Sequence, residues 1–211
     1  MPRPSPYRKR STNTLYNLLF CDDIGLIAKP KDVASDGMWA LVRKARPSSA
    51  ELIAIATEPA NDARLRGFAY HRLRGLGEPV DRKDLLGVIV EVHLDVGLDV
   101  LAAYCDGTAR YLNHSESTVI WETETADVSA AIKNLLEASR FAITQLGPWT
   151  KGRRPPPTRG SVRLSFIASD GLYFGEGTFQ AMLQDQIGGA VLQSAQELML
   201  MLGQKALDRT P

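Results

Sequence analysis

Cysteine is nearly absent from this chain. Cys21 and Cys105 stand alone among 211 residues, which makes no disulfide framework and no zinc-type ligand spacing. Two isolated thiols suit a reducing compartment, and a cytoplasmic location is expected. Histidine is also scarce, with three residues and no pair at a ligand spacing. No metal and no cofactor are therefore expected. Long apolar runs are missing as well. The most apolar stretch, around 187–202, is broken by Gln193, Ser194, Gln196 and Glu197 and falls short of the ~20 nearly uncharged residues that cross a bilayer. Residues 1–13 contain no apolar segment of the kind a secretory signal requires. No membrane association is expected.

Charge is missing in blocks. Residues 84–109 contain no Lys or Arg but hold Asp84, Glu91, Asp95, Asp99 and Asp106. Residues 138–169 contain no acid but hold Arg140, Lys151, Arg153, Arg154, Arg159 and Arg163. Arg3, Arg8, Lys9 and Arg10 add a basic, proline-rich start, read as a flexible arm over 1–13. A net charge of +1 conceals this segregation, which creates local fields of opposite sign.

The remaining composition, 44% hydrophobic and 23% charged, is that of a globular protein long enough to bury a core. Residues 14–82 read as mostly helical and 83–211 as an α+β core, the two forming one compact domain. Ser48-Ser49-Ala50-Glu51 has the form of a capping box, which starts a short helix ending near Thr57. A second helix, about 60–74, carries Leu65, Phe68, Ala69 and Leu73 as its buried stripe. From Val88 the period falls to two. Val88, Val90, Val92 and Leu94 alternate with Ile89, Glu91, His93 and Asp95, as in a half-buried strand with a solvated outer face.

A repeated form then organises the chain: two apolar runs meeting at Asp-Gly, followed by a long amphipathic helix. Asp106-Gly107 and Asp170-Gly171 are the turns, since Gly supplies positive φ at little cost. The helices are expected near 126–146 and 178–202. The fold class is thus α+β: an antiparallel sheet of about six strands, a meander over 86–122 plus a hairpin over 161–174. Two long helices lie on one face, with a small helical N-terminal region.

Chemistry is less legible. Gly171, Gly175 and Gly177 match neither the dinucleotide fingerprint nor the P-loop, and read as turn and strand glycines. His93 with Asp95 and Glu91 reads as a solvated face rather than a metal or acid–base site, and the two cysteines read as small apolar residues. Lys151, Arg153, Arg154 and Arg159, in a stiff loop with Pro155-Pro156-Pro157, are the candidate anion-binding residues. Gly188 and Gly189, inside the last predicted helix, lower its propensity by ~1 kcal/mol each, which suggests close approach of another backbone. That backbone is either within the monomer or across a homodimer seam, so both glycines are candidate partner or oligomer contacts. The leading functional expectation is a non-catalytic module that binds a protein partner or a small ligand. The alternatives are anion or nucleic-acid binding through the basic arm and loop, and an enzyme whose site is assembled from scattered residues. The absence of a recognised module and the pI of about 7.8 argue against nucleic acid.

Overall fold

The computed structural model describes residues 3–27, 37–123 and 125–208. In chain order, α1 (Arg10–Leu18), α2 (Gly37–Arg43), α3 (Ser49–Thr57) and α4 (Ala63–Gly75) precede the sheet, with a single 3-10 turn at Ile24–Leu26. Strands β1 (Leu85–Leu94), β2 (Gly97–Tyr104), β3 (Ala109–Leu112) and β4 (Thr118–Trp121) form a meander. They are followed by α5 (Ala126–Gln145), the hairpin β5 (Ser161–Ala168) and β6 (Gly171–Thr178), α6 (Phe179–Gln184) and α7 (Gly188–Asp208). Every pairing is antiparallel, in the order β4-β3-β2-β1-β5-β6.

The α+β class and the six strands agree with the sequence reading. The burial of β1 does not. Its first eight residues are all buried, because both faces of the sheet are covered. Val88, Val90 and Val92 join Leu135, Leu136, Leu198 and Leu202 of α5 and α7 in one core. Ile89, Val100 and Ala102 join Tyr16, Leu52, Phe68 and Leu73 of the N-terminal helices in a second. Alternation along β1 therefore separates two cores rather than core from water. The face expected to be solvated carries Glu91, which is fully buried.

The capping box is present. The Ser48 hydroxyl accepts from the Glu51 N–H, and the Glu51 carboxylate accepts from the Ser48 N–H at 3.1 Å. The four residues of the predicted stripe on α4 are all buried. Residues 3–9, expected to form a flexible arm, are pinned instead. The Tyr7 hydroxyl donates to the Leu98 carbonyl across the sheet, and the Glu116 carboxylate accepts from the Arg8 and Lys9 N–H groups.

Two details of the repeated form also differ. Gly107 takes a φ of +82° in its turn, as expected. Gly171 instead pairs with Ala168, so the second turn consists of Ser169 and Asp170. The last helix is broken in two. The Asp185 carboxylate accepts from the Ile187 and Gly188 N–H groups, ending one helical segment and starting α7 at Gly188. Gly188 and Gly189 thus begin α7 rather than lying inside a helix. Both are buried against α6 of the same chain, where a Cβ on Gly189 would sit 2.7 Å from the Leu183 carbonyl oxygen. The close approach these glycines allow lies within one chain.

Candidate functional site

A cleft of about 560 Å³ opens where the residues that follow α1, α4, the segment 148–153 and the β5–β6 turn converge. Its α4 wall is a stripe at helical spacing. Gly67, His71 and Arg74 share one face, and Gly67 lets the helix approach the Cys21 side chain, which a Cβ there would meet at 3.0 Å. Cys21 has a φ of +54°, a left-handed conformation that costs a non-glycine residue on the order of 1–3 kcal/mol. That turn carries the chain out of α1 and brings Asp22 into the wall.

Asp22 faces Arg153, whose Nε lies 3.3 Å from the carboxylate. The Arg153 guanidinium stacks 4.0 Å from the Phe20 ring centroid and donates from Nη2 to Asn17 Oδ1 at 2.6 Å. Arg153 is thus set into the N-terminal layer by stacking and a hydrogen bond as well as by charge. Burial pushes the Asp22 carboxyl up, against the pull of the Arg153 charge. Burial and the Arg74 charge hold His71 below its ordinary value, which keeps its imidazole neutral near pH 7. Arg74 donates to the Ser169 carbonyl at 2.5 Å, and the Tyr173 hydroxyl donates to Asp170 at 2.6 Å. Lys151 stands at the mouth, its ammonium 5.8 Å from the Trp149 ring centroid and without a carboxylate partner among the described residues. Phe20, Pro148, Trp149, Ile167 and Leu172 supply the apolar surface.

The four basic residues expected to act together are therefore divided. Lys151 and Arg153 line the cleft. Arg154 pairs with Glu176 at 3.5 Å, and Arg159 pairs with the Asp95 carboxylate at 3.4 Å. Much of the charge segregation is consumed in this way within the chain. Arg163 and Arg159 of the basic block meet Glu91 and Asp95 of the acidic block. His93 hydrogen-bonds the Pro157 carbonyl through Nδ1 at 2.7 Å, and Asp95 lies beyond the end of β1. These residues form no common site with Glu91. No group of three or more His, Cys, Asp or Glu able to hold a metal occurs among the described residues. Nor is any helix among them long and apolar enough to cross a membrane.

Sequence reading missed His71, Arg74 and Asp170 as members of one site. His71 and Arg74 carry a signal, because with Gly67 they repeat at i, i+4 and i+7 beside the buried stripe. Asp170 carries none beyond its place in a turn. Cys105, read from the sequence as a small apolar residue, has a cation beside it: the Arg66 Nη1 lies 3.6 Å from its sulfur. Burial outweighs that charge, and the Cys105 thiol is raised rather than activated.

Compared with known proteins, the chain matches no family model, no curated sequence and no solved structure.

Proposed function

We propose that this protein is a binding module for a small organic anion, held in the cleft beneath the segment 148–153. The observation that carries this reading is Lys151, a cation with no carboxylate partner among the described residues, at a cleft whose apolar surface comes from Trp149, Phe20, Ile167 and Leu172. Pockets of this kind, mostly apolar with a few convergent polar groups, take ligands with an apolar body and one oriented charge. Arg153 is matched by Asp22, and the charge of Arg74 is set against that of Asp170, which leaves Lys151 as the unmatched charge of the wall. The neutral imidazole of His71 offers a hydrogen-bond donor or acceptor without adding charge.

The reading is tested by titration calorimetry of the full chain against a panel of small aromatic carboxylates and phosphate monoesters. At least one should bind, with affinity falling as salt is raised. Lys151→Ala should weaken that ligand by about tenfold, the loss of roughly 1.4 kcal/mol expected for one charge-assisted contact. The substitution should leave stability within ~0.5 kcal/mol, since the side chain is exposed. Failure of the whole panel to bind, or equal binding by the Lys151→Ala protein, would overturn the proposal.

A further inference from the structure

A second cavity, about 530 Å³, lies at a different corner, where α4, the residues leading into β1, the β2–β3 turn and α5 meet. Four cationic side chains, Arg66, Arg82, Lys83 and Arg140, line it with a single carboxylate, Asp84. They come from three separate parts of the chain, so local sequence composition does not account for their convergence. Asp84 is already matched by Arg82, with Nε 2.9 Å from the carboxylate. Arg66 is held by the Ala56 carbonyl, which accepts from its Nε at 3.0 Å, while Nη1 reaches the Cys105 sulfur. Lys83 lies over the Tyr173 ring at 4.7 Å. Arg140 is exposed on α5 and has no hydrogen-bond or ion-pair partner among the described residues. Asp106, next to Cys105 in sequence, has both oxygens engaged by the Ala63 N–H and by Thr108.

Gathering like charges around a concave space is unfavourable, and an anion bound there relieves that repulsion. Guanidinium groups present planar sets of N–H donors that fit tetrahedral oxyanions better than a lone ammonium does. We infer that this corner is a second, separate anion site, which takes a small multiply charged oxyanion of the phosphate or pyrophosphate type. Its concave shape and volume suit a free small anion rather than a nucleic-acid strand. Cys105 forms part of the wall and reports on occupancy.

The test uses the full chain and the rate of Cys105 alkylation by iodoacetamide, followed by mass spectrometry, with pyrophosphate added at constant ionic strength. Cys21 is buried and serves as an internal check of folding, since it should stay unlabelled. Pyrophosphate at ten times its dissociation constant should slow labelling of Cys105 by about tenfold. Arg140→Glu should abolish this protection, Arg82→Ala should weaken it, and Lys151→Ala should leave it unchanged because Lys151 belongs to the other cleft. Titration calorimetry with pyrophosphate reads the same binding without the thiol. Equal slowing by sodium chloride of matched ionic strength would overturn the inference, as would protection that survives Arg140→Glu. So would protection by a single-stranded oligonucleotide at the same phosphate concentration, which would mark an open polyanion surface instead.

Discussion

Beneath α5 and α7 the sheet presents Val88, Val90, Val92, Leu101, Val162 and Leu164, with no ionised group among them. Beneath α1–α4 the same strands present Glu91 and Arg163, paired across β1 and β5, together with Tyr104. On that side the Tyr16 hydroxyl donates to Glu91 at 2.6 Å. Arg163 Nη1 lies 3.7 Å from the same carboxylate, while Nη2 holds Glu176 at 2.7 Å. One face is held by apolar burial that is indifferent to pH, the other by a buried network whose parts depend on one another. The cleft that we propose as the ligand site opens beside the second face. A polar interface can be shaped around charged side chains without leaving them unpaired, whereas a close-packed aliphatic one leaves neither room nor partners for a ligand.

The sharpest way to break this comparison is to remove the cation from the network. Arg163→Met would leave Glu91 and Glu176 facing each other without their shared partner, and should cost about 3–5 kcal/mol. A loss below ~1 kcal/mol in urea denaturation would show that the network contributes no more than surface pairs do. On the aliphatic face, Leu135→Ala should cost about 2–5 kcal/mol, the range for a fully buried leucine, with the same value at pH 5 and pH 7.5. A pH-dependent loss there would erase the distinction between the faces.

The smallest expected effect is a difference between two pH profiles. Burial raises the Glu91 carboxyl above its ordinary range, against the hydrogen bond from Tyr16 and the charge of Arg163. A carboxyl raised in the folded state contributes stability that is complete below its unfolded value, about 4.3, and is lost as pH rises through the folded value. Glu91→Gln removes that component. Wild-type stability relative to Glu91→Gln should therefore be greatest near pH 4 and decline towards neutrality. Asp22, raised for the same reason, is present in both proteins and cancels. Parallel urea titrations across pH 4 to 7.5 that keep a constant gap would show that Glu91 titrates as if exposed.

The elements were legible wherever a local rule governs them. The Ser48 capping box, the buried stripe of α4, the Gly107 turn, the meander and the hairpin follow from short-range geometry and periodicity, whereas the docking of β5 on β1 does not. The break before α7 was missed because Asp185 caps the new helix through a turn that leaves the apolar periodicity nearly intact. In the candidate site, Lys151 and Arg153 were legible as loop cations, but the burial of Arg153 against Phe20 and Asn17 was not. Nor was the separation of these two cations from Arg154 and Arg159, because it depends on where Asp22, Glu176 and Asp95 fall in space.

The sequence alone determined most of the strands and helices, since those preferences are set by residues a few positions apart, though not the start of α1 at Arg10 or the break before α7. Tertiary structure alone decided what covers the second face of the sheet. Glu91 has the polar–apolar spacing of an outward-facing residue, and the N-terminal helical layer, with Tyr16 from 75 residues earlier, places it in the interior. Burial is a property of the whole packed chain, so the charge, partner and titration of such a residue follow from long-range contacts that no local pattern encodes.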